Sequence, residues 1–100
     1  MIIEEIVRNY LDDELTVPYV MVEKTGGGQT NRLNSATIAL QSYGSSIHVA
    51  ADLNEQVKAA MDGIVELSEI SSADLNTDYN FTDEEREEYR YQAVYDLTHY

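Results

Sequence analysis

The last third of the chain alternates between apolar and polar residues over two consecutive runs, and this period of two limits the fold more than any other feature. The run 73–81 places Ala73, Leu75 and Tyr79 on one side of an extended chain and Asp74 and Asp78 on the other. The run 89–98 alternates in the same way. Two such runs joined by a short polar loop are typical of an antiparallel β-hairpin. We therefore predict a hairpin over residues 73–98.

Two helices are predicted from apolar residues that recur every three or four positions. Residues 2–15 carry one such stripe, and Pro18 closes that helical region. Residues 46–66 carry the other, which begins after Ser45 or Ser46, and either serine can cap a helix. Each helix has one apolar face, so both are expected to pack on a sheet.

Two further strands are predicted between the helices, at residues 19–24 and 32–43. The triplet Gly26, Gly27 and Gly28 predicts a mobile hairpin tip between them, because no Gly-Lys-Ser/Thr sequence and no helix follow it as in a phosphate-binding loop. The element order is then αββαββ. This order predicts a single α+β domain over residues 1–100, with one mainly antiparallel sheet and two helices packed on it.

The charge of the chain excludes several classes of partner. Its 100 residues carry 19 acidic and 6 basic side chains, for a net charge of -13. Tight nucleic-acid binding depends on Lys and Arg, and an anionic membrane surface repels such a chain. No run is apolar enough for a membrane span, and the acidic N-terminus does not suit a signal peptide. We therefore expect a protein made in the cytoplasm that contacts no membrane.

Residues suited to catalysis or metal binding form no recognisable pattern. Cysteine is absent, and the two histidines, His48 and His99, stand in no nucleophile signature, so both are interpreted as solvated. Asp74, Asn76 and Asp78 have the spacing that begins a calcium loop, but strand alternation explains that spacing without a metal. We predict no catalytic residue, no metal site, no cofactor and no enzymatic activity.

The densest charge lies in the predicted turn of the C-terminal hairpin. Between residues 74 and 88 there are seven acidic residues and one basic residue, Arg86. Mutual repulsion predicts an extended, solvated loop there. This loop has two open interpretations, a solubilising surface or a surface that repels DNA or meets a cationic partner. The candidate residues of the second interpretation are Asp83, Glu84, Glu85, Glu87 and Glu88.

The chain is rich in tyrosine, with 8 tyrosines, 1 phenylalanine and no tryptophan. Tyr89, Tyr91 and Tyr95 fall on one face of the last predicted strand. Such a stripe is either half-buried core or a subunit contact, where tyrosine is enriched. Because an apolar edge strand is an aggregation hazard in a monomer, we treat the three as candidate subunit-interface residues.

Four segments carry a resemblance to a known family. They are LNTDYNFTD at 75–83, YRYQAVYDL at 89–97, VEKTGGG at 22–28 and SATIALQSYG at 35–44. Together they resemble the tail terminator (tail-to-head joining) proteins encoded by long-tailed bacteriophages and prophages of Gram-positive bacteria. The likeness covers roughly residues 2 to 98.

The resemblance implies a structural virion protein at the neck end of the tail, assembled in the bacterial host cytoplasm. Such a protein forms a homo-oligomeric ring, typically a hexamer, which caps the tail tube protein and docks to head connector proteins. DNA passes through the ring without tight binding. Two alternatives stay open, another neck component (a head-completion adaptor or minor capsid protein) and an acidic DNA-mimic inhibitor.

Overall fold

The predicted α+β fold is confirmed in a computed structural model, which describes residues 2–15, 20–30 and 32–100. A 3₁₀ helix follows the second α-helix, and all other elements occur in the predicted order. In chain order the elements are α1 (Ile3–Glu14), β1 (Val20–Thr30), β2 (Leu33–Gly44), α2 (Ile47–Met61), the 3₁₀ helix (Ile64–Glu66), β3 (Ile70–Asn80) and β4 (Tyr89–His99).

The four strands form one antiparallel sheet in the order β1-β2-β4-β3. The two central strands are therefore β2 and β4, which pair over their whole lengths from Asn34↔His99 to Gly44↔Tyr89. Strands β1 and β3 lie at the two edges. Pro18 and Asn31, on which parts of the predicted turns depended, lie outside the described residues.

Both helices pack on one face of the sheet and enclose the core there. α1 contributes Ile3, Val7 and Leu11 to the core, at the four-residue spacing of its apolar stripe. α2 begins after Ser46, whose side-chain oxygen accepts a hydrogen bond from the Val49 amide, as a helix cap does. On the sheet, the core includes Ile38, Leu40, Ala93, Tyr95 and Leu97.

The prediction that the glycine triplet forms the hairpin tip is wrong. Gly26, Gly27 and Gly28 lie inside β1 and pair with Thr37, Ala36 and Ser35 of β2. None has a positive φ, so all three adopt ordinary extended backbone. β1 contains a bulge between Lys24 and Gly26 and continues through the glycines. Arg32 lies at the actual tip of the hairpin and takes a positive φ of 67°. Pairing along β2 thus extends β1 beyond its apolar residues.

A bulge at Asn76 reverses the predicted faces in the outer half of β3. Leu75 pairs with Tyr95 and the next pair is Thr77 with Val94, so Asn76 is an extra residue. Each extra residue in a strand shifts every later side chain to the other face. Ala73 and Leu75 therefore point to the helices, as predicted, but Asp78 also does, and Tyr79 points away.

Candidate functional site

The predicted tyrosine stripe faces the helices, and its three members differ in exposure. Tyr95 is 3% exposed within the core, so its assignment to a subunit interface is wrong. Burial, with a smaller contribution from the Asp62 carboxylate, raises the pKa of Tyr95 to about 12. Tyr91 is half-buried, and Tyr89 is 37% exposed. Only these two can contact a neighbouring molecule without opening the core.

Tyr91 also lines a groove of about 680 Å³ beside the first half of α2. Tyr43, Val49 and Leu53 add apolar surface, and Asp52 and Glu55 are among the polar lining residues. His48, predicted to be solvated, is exposed at this groove. Within residues 2–15, 20–30 and 32–100, no three metal-binding side chains lie close enough together to hold a metal ion.

The acidic loop is a compact turn, and the predicted extended conformation is wrong. The backbones of Asp83 and Glu88 hydrogen-bond to each other in both directions, at 3.0 Å each. The Asp83 carboxylate accepts hydrogen bonds from the Glu85 and Arg86 amides, so this side chain builds the turn. Glu87 completes the reversal with a φ of 54°. Glu84, Glu85 and Glu87 are left exposed, with Glu88 half-buried.

The opposite face of the sheet carries a side-chain cluster that sequence reasoning missed. The helices do not cover this side, which we call the open face. Its cluster consists of Met21, Gln41, Tyr43, Tyr79, Phe81, Arg90 and Gln92. Met21, Tyr79 and Phe81 are 53%, 41% and 38% exposed, while Gln41 and Gln92 beneath them are buried. Exposed Met, Tyr and Phe side chains on an uncovered sheet face are typical of a contact surface.

Hydrogen bonds and ring contacts hold this cluster in one arrangement. Gln41 Nε2 donates to Gln92 Oε1 at 2.8 Å, and Gln92 Nε2 donates to the Tyr79 hydroxyl. The Arg90 guanidinium donates to the Phe81 carbonyl at 2.7 Å and to the Tyr43 hydroxyl at 3.0 Å. It also lies 4.6 Å from the Phe81 ring centroid, within cation–π range.

The charge of Arg90 has no carboxylate partner among the described residues, whose ion pairs involve Lys58 and Arg86. The predicted alternation along β4 placed Arg90 and Gln92 on one face. The bulge at Asn76 concealed that Tyr79 and Phe81 join them, because simple alternation assigns both aromatic residues to the buried side. Finding the cluster from the sequence would have required a pattern that marks the bulge at Asn76.

A polar contact joins α2 to β3 on the buried face. Asp78 accepts hydrogen bonds from Lys58 Nζ and Asn54 Nδ2, both at 2.9 Å. The Lys58 hydrogen bond lowers the pKa of Asp78, and the same contact raises the pKa of Lys58, with help from Glu55. Asn54 is 1% exposed, and its Oδ1 atom has no hydrogen-bond partner among the described residues. The contact is therefore structural, and its loss would leave Asn54 still less satisfied.

Comparison with family models, with curated proteins and with solved structures gives no match to this chain. Within the described residues, none of the helices is both long and apolar enough to cross a membrane. The surfaces of the domain therefore carry the functional argument, and four of them stand out: the two sheet edges, the open face and the acidic turn.

Proposed function

We propose that this chain is a structural subunit that assembles into a closed ring, acting as a tail terminator at the head–tail junction of a long-tailed phage or prophage. The observation that carries the proposal is the sheet, whose edge strands β1 and β3 each pair on one side only within the described residues. The resemblance of the sequence to tail terminators gives that assembly its biological setting. No catalytic step forms part of the proposal.

The two free edges support assembly because each presents unpaired backbone groups along an eleven-residue strand. Natural proteins shield such edges or pair them with another chain. Leu75, on the edge strand β3, is 44% exposed, which adds apolar area. When the β1 edge of one subunit meets the β3 edge of the next, the contact is heterologous, and a suitable rotation closes it into a ring. A hexamer is the ring size that the resemblance implies.

The charge distribution supports a ring that lets DNA pass. The chain carries a net charge of -13, and Glu84, Glu85 and Glu87 project from the acidic turn. Carboxylates repel the phosphate backbone, whereas lysine and arginine would retain it. We propose that the turn faces the lumen or a docking surface of the connector. Tyr89 and Tyr91 lie at the same end of the sheet as the turn and are the remaining tyrosine candidates for subunit contact.

Ring formation is tested by native mass spectrometry and negative-stain electron microscopy of the purified chain, alone and with tail tubes. Leu75→Lys places a charge in the middle of the β3 edge and should abolish the ring while the circular dichroism spectrum stays unchanged. Ile2→Lys is the matched control, because Ile2 is also an exposed aliphatic residue, at 58%, and lies outside the sheet. A chain that stays monomeric with and without tail tubes contradicts the ring.

The place of the ring in the virion is tested by deleting the gene in a lysogen that produces particles. Loss of a terminator should give tails of abnormal length that fail to join heads. Filled heads that leak DNA would instead identify a head-completion adaptor. A triple Glu84/Glu85/Glu87→Lys variant should assemble but lose infectivity, whereas the Gln variant at the same three positions should retain most of it. Full infectivity of the lysine variant would remove the role assigned to the turn.

A further inference from the structure

We propose that the open face binds a second copy of this chain across a two-fold axis, with the strands of the two sheets antiparallel. This contact uses a surface distinct from the sheet edges, so it does not depend on the proposed ring. The proposal rests on the charge pattern of the open face, on its exposed apolar residues and on its area.

The open face has opposite charges at its two ends. Arg90 lies near the start of β4, with its guanidinium held by Phe81 and Tyr43. Asp96 lies toward the end of β4 and pairs with Asp74 of β3. Arg90 and Asp96 are six residue steps apart, which is about 20 Å along the strand. One end therefore carries an unpaired cation, and the other carries two carboxylates. Glu23, which pairs with Ala39 on the edge strand β1, adds one more exposed carboxylate to this face between the two ends.

A two-fold axis that runs across the strands brings these opposite ends together. If the axis passes between the Ala39 and Gln41 rows, β4 of one copy lies over β4 of the other in the reverse direction. Arg90 of each copy then lies over Asp96 of its partner, with Asp74 one strand to the side, so that cation and carboxylates meet in both symmetric contacts, as an isologous contact requires. Asp96 already accepts hydrogen bonds from Thr37 and Asn76, but a carboxylate has further acceptor positions.

The same arrangement limits the repulsion between two strongly acidic chains. The acidic turns project from opposite ends of the pair, about one sheet length apart. Between the charged ends, Gln41 and Gln92 lie over Ala39 and Val94 of the other copy. At the two edges, Met21 and Tyr79 lie over Glu23 and Thr77, which covers the apolar parts of both exposed side chains. An aligned pair of sheets packs side chains in this way at a separation of about 10 Å.

The area of the open face is close to what a stable dimer needs. Four strands of about eleven residues cover roughly 19 Å by 35 Å, or on the order of 650 Å² per copy. A standard specific interface buries about 800 Å² per partner. The side chains of Met21, Tyr79 and Phe81, which stand out from the sheet, add to the flat area.

A charge-swap experiment tests the contact, with the monomer–dimer dissociation constant measured by sedimentation equilibrium. Arg90→Glu and Asp74→Arg should each weaken the dimer at least about tenfold, because each places like charges together in both symmetric contacts. The double variant restores opposite charges, with their signs exchanged, and should return to within about threefold of the unmodified chain. Arg8→Glu and Glu5→Arg are the matched controls, since both are exposed on α1.

The outcomes separate this contact from the ring. Rescue by the double variant supports the two-fold contact, because a change in folding alone is not reversed by a second charge. Single variants that dimerise like the unmodified chain, or a double variant without rescue, overturn it. A chain that remains monomeric up to millimolar concentration also overturns it. If a ring forms and none of the charge swaps changes its mass, the edge contact is retained and the two-fold contact is overturned. Binding of the open face only to a different protein also overturns the two-fold contact.

Discussion

Among the glycines, Gly44 is the position at which adding a methyl group should lower the stability of the fold most. It ends β2 where α2 begins, and a Cβ atom there would lie 2.5 Å from the Ala50 nitrogen and 2.9 Å from the Val49 carbonyl carbon. Both are backbone atoms, so no side chain can rotate away. Ordinary contact begins at 3.4 Å, and the start of α2 would have to move by about 0.9 Å. Ala50 and Leu53, which are buried on that helix, would move with it.

The expected cost of Gly44→Ala is about 2 kcal/mol, within the range for overpacking a close-packed interior. For a domain of this size, that cost lowers Tm by roughly 8 to 16 °C. Gly26→Ala is the matched control, because its Cβ would meet nothing closer than Thr37 Oγ1 at 3.7 Å. That variant should be stabilised by up to about 1 kcal/mol through the reduced freedom of its unfolded chain.

The assay is thermal and urea unfolding of both variants, followed by circular dichroism. Opposite signs for the two substitutions would support the close approach of α2 to the end of β2. Equal stability of Gly44→Ala and the unmodified chain would refute it. Equal destabilisation of both variants would point instead to a general intolerance of the strands for alanine.

Three further measurements test other contacts. Tyr10→Phe removes the hydroxyl that donates to the Ala60 carbonyl at 2.6 Å and should lower the free energy of unfolding by about 1 kcal/mol. Tyr100→Phe is the control, because that side chain is 72% exposed and its hydroxyl should contribute nothing measurable. Equal values for the two variants would refute the link between the helices. The lowered pKa of Asp78 supplies stability that is fully present above its ordinary pKa of 3.8 and is lost as the pH falls below that value, through the pKa of the folded protein. Asp78→Asn should therefore flatten the acid limb of the stability curve, and an unchanged limb contradicts this. Glu87→Gly should stabilise the turn by about 1 kcal/mol, because glycine adopts a φ of 54° without strain, while Glu85→Gly should not; both are read from Tm.

Periodicity predicted the fold well because most elements bury one continuous face. The stripe Ile3, Val7 and Leu11 and the alternation along β4 both correspond directly to the core. Where alternation alone was not enough, the prediction failed for a physical reason. The glycine triplet has no side chains to carry a pattern, yet its backbone groups pair with β2.

The candidate site was less predictable than the fold. Tyr95 reads like Tyr91 in the sequence, and only the packing of α2 over β4 separates the buried ring from the half-buried one. The bulge at Asn76 exchanged the faces of Asp78 and Tyr79, which hid both the contact with Lys58 and the open-face cluster. Local composition carries no signal for such a bulge, because the register is decided by pairing with β4.

Different groups close the acidic turn and display its negative charge. Asp83 and the two backbone hydrogen bonds close the reversal, whereas the carboxylates of Glu84 and Glu85 take no part in it. The charge displayed at this tip can therefore drift through mutation without disturbing the hairpin beneath. Selection on whatever meets the tip can act on a few interchangeable positions, while the rest of the domain evolves under the separate demand of staying folded.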